Sequence, residues 1–210
     1  MAPTSLVPTT HSANPLDDPR VHVLADEVAC RRMVQELAAA IEHRYPTGDI
    51  MLVGVRTGAL FLTVDLMRAL NPSRNVEMTT IHASSYEAGA LHTSGHVVLN
   101  FDELPVDLSR KHVIIVDDVG DSLLTLLAIK QQFKSQSIAY MSLDFLVGCY
   151  KRGAATETVR HAVEPLLNFI GFDNVDPKLY LIGFGMDGDL SGSNRALYRG
   201  WRFIGYIDRS

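Results

Sequence analysis

Two strand-length runs in this chain contain no polar residue: "IMLVGV" at 50–55 and "VIIV" at 113–116. A strand with one face in water alternates apolar and polar residues, because successive side chains point to opposite faces. A run without alternation needs cover on both faces. A mostly parallel sheet with helices on both sides meets that need. The chain also holds the helices for it. Asp26 or Glu27 can start one that runs to about His43, with Val28, Val34, Leu37, Ala38 and Ile41 as its apolar face, before Pro46 and Gly48 end it. "ALFLTVDLMRAL" (59–70) reads as a second helix, and Ser122 to Phe133 as a third. "VEMTTIHA" (76–83), the return strand "HVVLNF" (96–101), "HVIIVDDV" (112–119), "SIAYMSLDFLV" (137–147), "LLNFIGF" (166–172), "LYLIGFG" (179–185) and a late "WRFIGYI" (201–207) are the remaining strand candidates. The expected fold class is α/β, a doubly wound and mostly parallel sheet.

Composition narrows the function. The 210 residues suit one domain, read as 21–210 behind a Pro-, Ser- and Thr-rich flexible leader over 1–20. The formal charge is −5 with no Lys/Arg stripe, which argues against a nucleic-acid partner held by a basic face. The longest apolar stretch is interrupted by Arg56 and Asp65, so no membrane span is expected. The leader has no signal-peptide pattern, and Cys30 and Cys149 read as free thiols, which together point to the cytoplasm.

The run "VIIV" leads directly into Asp117 and Asp118, then Asp121, Ser122 and Thr125. In a doubly wound sheet, ligands bind at the carboxyl ends of the strands. Adjacent carboxylates there can accept hydrogen bonds from the two hydroxyls of a ribose. The helix that follows offers unpaired amides and the positive end of its dipole to a phosphate. Ser122 and Thr125 add hydroxyls. The segment reads as a ribose-phosphate cradle; the plainer alternative is an acidic turn with Ser122 as a helix cap.

"VIIVDDVGDSLLTL" resembles the phosphoribosyl pyrophosphate signature of the type I phosphoribosyltransferases, and is closest to the hypoxanthine-guanine (6-oxopurine) phosphoribosyltransferases, in a protozoan-like variant. The departures are Leu123 at the family's glycine position and Leu124 beside it; leucine resists the dihedrals that glycine allows. "LVGVRTGALF" resembles the first active-site loop, which touches pyrophosphate through Arg56 and Thr57 and carries a non-proline cis peptide, here Arg56–Thr57. "ASSYEAGALHTSG" resembles the mobile loop, whose Ser85–Tyr86 pair closes over the site. "LYLIGFGMD" resembles the base-binding segment. There the match implies that Tyr180 stacks on a purine, Leu181 offers backbone groups to its edge, and Asp187 faces magnesium.

The resemblance also implies a small hood subdomain and a homodimer or homotetramer. The substrates would be phosphoribosyl pyrophosphate and a purine base, with Mg2+ as cofactor, and Asp117 and Asp118 would serve the ribose hydroxyls and the metal. By the same match Asp121 would be the general base near the purine N7, and Ser122, Leu123, Leu124 and Thr125 would wrap the phosphate. The family's lysine for the 6-oxo group matches Lys151, or Leu146 if the region is aligned without an insertion. The family's arginine six residues past the magnesium aspartate falls on Ser193, which makes Arg195 the nearest candidate for pyrophosphate. The activity implied is purine salvage to IMP or GMP, and possible xanthine use stays open. The alternative is a catalytically weak or regulatory nucleotide-binding protein on the same fold.

Overall fold

The apolar runs form the centre of a six-stranded sheet. The structure is a computed structural model that describes residues 19–85, 97–105, 107–187 and 198–207, without the side chains of 84 and 85. The elements are β1 (Val21–Ala25), α1 (Glu27–Arg44), β2 (Asp49–Arg56), α2 (Leu60–Ala69), β3 (Val76–Ser85), β4 (Val97–Asn100), β5 (Leu108–Gly120), α3 (Leu124–Ser135), β6 (Tyr140–Tyr150), α4 (Glu157–Val163), β7 (Leu167–Phe172), β8 (Tyr180–Ile182) and β9 (Ile204–Ile207), with a 3-10 turn at Glu164–Leu166. The large sheet has the order β4-β3-β2-β5-β6-β7. Only β4 runs antiparallel, against β3. It is the expected return strand.

Ile50, Leu52 and Val53 of β2 and Val113 to Val116 of β5 are fully buried. Their registers place Leu52 beside Ile114 and Val53 beside Ile115. Helices α1 and α2 pack together on one face, and α3 and α4 on the other, as the lack of alternation required. Helix α1 is capped by Asp26, whose carboxylate accepts from the Ala29 amide at 2.7 Å. Its buried face is Cys30, Met33, Val34, Leu37, Ala38 and Ile41. Val28, expected on that face, is 61% exposed. It precedes Val34 by six residues, which at about 100° per residue points it well away from the core.

Two elements were not legible in the sequence. Helix α4 lies in the β6–β7 crossover, where only an unusual length was expected. Strand β1 pairs with β9, which pairs with β8, in a separate three-stranded antiparallel sheet. Its sequence "VHVLA" buries only its two ends, so it carries no clear period of two. This small sheet forms the hood. The leader over residues 1–18 and the 86–95 part of the expected mobile loop lie outside the described residues.

Cys30 and Cys149 are buried and unpaired. Burial pushes the Cys30 thiol up to about 11 and the Cys149 thiol up to about 12. The thiolate is the reactive form. Neither thiol is therefore expected to react with a disulfide reagent at pH 8 while the protein is folded, and both react on unfolding in guanidinium. Fast labelling of the native protein would show that the burial is wrong.

Candidate active site

The strand order reverses between β2 and β5: the chain goes from β2 to β3 on one side and returns to β5 on the other. Such a switch point leaves a crevice outside the carboxyl ends of the two strands. Arg56 ends β2 with Thr57 and Gly58 directly after it, and Asp117 to Gly120 end β5 with Asp121 directly after it. The sequence therefore placed its carboxylates where this topology opens a crevice.

Asp117 is buried, and Asp118 is partly so. Asp117 Oδ1 accepts from the Asp118 amide at 3.1 Å, and Asp118 Oδ1 from the Val119 amide at 2.9 Å. Desolvation, then the charge of Asp118, raises the Asp117 carboxyl well above the usual range. Desolvation also raises Asp118, against the lowering pull of hydrogen bonds and of Arg199. The two carboxylates are thus under-compensated by the protein alone. Hydroxyl donors or a cation would satisfy them.

The loop after β2 is packed tightly onto this pair. A Cβ on Gly58 would fall 1.8 Å from Asp118 Oδ2. A Cβ on Gly185, in the turn after β8, would fall 2.0 Å from the Gly58 carbonyl oxygen. The Arg56–Thr57 peptide is cis, as the resemblance implied. Arg56 itself is paired with Glu103 at 3.3 Å, a partner the sequence did not suggest.

After Gly120 the chain turns into α3. Leu123 takes the left-handed conformation, φ 59 and ψ 9, with its side chain 3% exposed. That conformation costs a non-glycine residue about 1–2 kcal/mol. Burying a leucine contributes about 1.5–3 kcal/mol and offsets it. Leucine thus adopts the backbone that the family's glycine would favour. Ser122 Oγ accepts from the Leu124 amide at 3.4 Å, but the N-cap of α3 is Leu123, which makes no side-chain cap, so Ser122 is not the helix cap of the plainer reading. Leu124 is exposed and Thr125 half-buried in the first turn.

Lys151 ends the site's far side. Strand β6 pairs with β5 through Gly120 and Tyr150, so the next residue of each comes together. The Lys151 amide donates to Gly120 O at 3.0 Å, and Lys151 Nζ lies 3.2 Å from Asp121 Oδ2. The Lys151 side chain is 8% exposed and that of Asp121 53%. Leu146, the alternative for the lysine position, is fully buried in mid-strand. Of the two, only Lys151 reaches the crevice.

The hood supplies the remaining wall. Tyr180 is half-buried and packs against the cluster of Val21, Ile182, Tyr198 and Ile207, while Leu181 is buried. Asp187 is exposed and paired with Arg199, whose Nη1 also donates to Gly185 O at 2.6 Å. Arg199 was missed in the sequence. Reading "GDLSGS" (188–193) as an insertion would have found it, because six extra residues move the expected arginine from Ser193 to 199. Tyr86 and Arg195 lie outside the described residues, as does the side chain of Ser85.

Among the described residues, no group of three or more His, Cys, Asp and Glu side chains could hold a metal ion. Asp117, Asp118 and Asp187 offer only oxygen, in ones and twos. That set suits Mg2+, which keeps waters and substrate oxygens and asks little of the protein.

A pair of acids, an acid–lysine pair and a helix start surround one switch-point crevice of a doubly wound α/β protein. Comparison with known proteins makes the class specific. The family described as "Phosphoribosyl transferase domain" matches residues 24–172, and the chain belongs to that family. The hypoxanthine-guanine phosphoribosyltransferase of Aquifex aeolicus is 29% identical over 176 residues, 83% of this chain and 91% of that protein. The hypoxanthine phosphoribosyltransferase of Escherichia coli K12 is 28% identical over 169 residues, 80% of this chain and 87% of that one. A crystal structure of a Bacillus anthracis hypoxanthine-guanine phosphoribosyltransferase superposes with a TM-score of 0.70 at 26% identity, over 89% of this chain and 97% of that one. The type I phosphoribosyltransferase fold is thus the fold of this chain. Among the described residues no helix is long and apolar enough to cross a membrane.

Proposed function

We propose that this protein is a purine salvage enzyme of the cytoplasm. It would transfer the 5-phosphoribosyl group from phosphoribosyl pyrophosphate to a nitrogen of hypoxanthine or guanine, giving IMP or GMP and pyrophosphate. The observation that carries the reading is Lys151, buried at the end of β6 with its ammonium 3.2 Å from Asp121. A lysine ammonium only donates hydrogen bonds. It matches a 6-oxo group and rejects the 6-amino group of adenine. A carboxylate beside it can take the proton from the purine nitrogen.

The other residues fit the same chemistry. Asp117 and Asp118 accept the ribose hydroxyls, which supply the donors these buried acids need. The first turn of α3, with Ser122 and Thr125, holds the 5-phosphate through its free amides. Thr57, Gly58 and Arg199 surround the pyrophosphate side. Mg2+, held by Asp117, Asp118 or Asp187 and by substrate oxygens, would stabilise charge on the departing pyrophosphate. Tyr180 forms the aromatic wall for the base, and the Leu181 backbone meets its edge. Relatives named for hypoxanthine alone and for hypoxanthine with guanine both occur, so base choice is part of the test. A homodimer or homotetramer is the expected assembly.

The test offers hypoxanthine, guanine, xanthine and adenine with phosphoribosyl pyrophosphate and magnesium, to wild type and Lys151→Met. Wild type is expected to use a 6-oxopurine and not adenine. Lys151→Met is expected to raise the 6-oxopurine KM by about 10–100-fold, the loss of one charge-assisted hydrogen bond. No turnover of any base by wild type would leave a regulatory or catalytically weak nucleotide binder.

A further inference from the structure

Lysine has a long flexible stem, and its ammonium is aimed at a purine's exocyclic 6-oxo group reproducibly only if its backbone is held. The residues around Lys151 are tied down from three directions. Next to it, Arg152 forms a fork on Asp173: Nε lies 2.7 Å from Oδ1 and Nη2 2.7 Å from Oδ2. Asp173 directly follows β7, so the fork joins the ends of β6 and β7. On the other side of Lys151, Tyr150 is buried, and the Arg152 guanidinium lies over its ring at 4.9 Å. The Tyr150 hydroxyl donates to Glu164 Oε1 at 2.6 Å, in the 3-10 turn after α4. The Tyr150 carbonyl accepts from the Val175 amide at 3.0 Å.

We propose that Arg152 and Asp173, stacked on Tyr150, form a clamp that positions Lys151 and thereby sets the affinity for the purine. The inference rests on the reading of Lys151 given under Proposed function. Both clamp side chains are nearly half exposed, 48% and 44%, so the pair contributes little to stability through its charge in water. A two-bond fork nevertheless fixes orientation. Hydrogen bonding to Arg152 holds the Asp173 carboxyl below its usual range, so its charge in the fork persists to more acid pH than an ordinary carboxylate's. The clamp also gives the α4 crossover a role: it carries Glu164 onto the hydroxyl of the residue before Lys151.

Arg152 is a positioning residue here, so its test separates substrates. Arg152→Ala leaves Asp173 to accept from the Asn174 amide as before. It is expected to raise the KM for hypoxanthine and guanine by about 5–20-fold, with kcat and the KM for phosphoribosyl pyrophosphate within about two-fold of wild type. Arg152→Lys keeps the charge without the fork and is expected to fall between the two, which serves if the alanine variant folds poorly. An unchanged purine KM in both variants would overturn the clamp. So would a parallel loss for both substrates that tracks a lowered Tm, the mark of a merely structural role. A wild-type protein that turns over no 6-oxopurine would overturn the functional reading and the clamp with it; an active wild type with unshifted variants overturns the clamp alone.

Discussion

Asp121→Asn is expected to lower kcat for a 6-oxopurine by about 10²–10⁴-fold, the usual contribution of a general base. The KM for the purine should move little, because the amide keeps an oxygen for Lys151 Nζ. Asn has nearly the shape of Asp, and the Asp121 side chain is 53% exposed, so the fold itself has little reason to change. The charge of Lys151 sets the limit of that argument. Its side chain is only 8% exposed, and Asp121 is its ion-pair partner. A hydrogen bond to a neutral oxygen in place of the ion pair is expected to cost about 1–2 kcal/mol of stability. Asp121→Ala removes the acceptor altogether and should cost more, since it leaves a buried ammonium uncompensated. Steady-state rates and thermal melts of the two variants separate the lost base from the lost partner. Asp121→Asn turnover within three-fold of wild type would remove Asp121 from the proton transfer.

Gly58→Ala is the second large effect. The new Cβ would sit 1.8 Å from Asp118 Oδ2, closer than any real contact, so either the loop or the carboxylate must move. The loop has little room, because the Gly58 carbonyl oxygen already faces Gly185, where a Cβ would fall 2.0 Å away. Asp118 is then displaced from the position proposed for it beside the ribose hydroxyls. Misplacement of about 1 Å in a positioned group can cost 10²-fold in rate. We expect kcat/KM for phosphoribosyl pyrophosphate to fall by about 10²-fold or more, with the KM for purine much less affected. Gly200→Ala is the control: nothing lies within 4 Å of its Cβ, and it should be silent. A Gly58→Ala enzyme with normal kinetics would show that the loop and Asp118 are not coupled.

Much of the fold was legible because burial leaves a mark on residue order. A strand covered on both faces has to be apolar throughout, and "IMLVGV" and "VIIV" are. Helix α1 was legible from its apolar stripe, and the error at Val28 was one of helical phase, not of existence. Strand β1 was not legible, since it buries only Val21 and Ala25, and its pairing with β9 bridges the two ends of the domain. Helix α4 has seven residues, too few to repeat a pattern.

The site divides along the same line. Residue order alone placed Asp117, Asp118 and Asp121 at the carboxyl end of a buried strand, because a strand and the turn that ends it are contiguous in the chain. The family resemblance marked Arg56–Thr57, where the structure has its cis bond. Only the tertiary structure decided which lysine reaches the crevice, and only it brought Arg199 there, while Arg195 lies outside the described residues. Lys151 meets Asp121 because β5 and β6 are neighbours in register, and Arg199 meets Asp187 across the turn that follows β8. Spacing along the chain left Leu146 as an alternative for the lysine and put the arginine position on Ser193. An insertion changes the count of residues between two positions without changing where the strand ends lie, so contacts across it are set by sheet pairing and not by sequence distance.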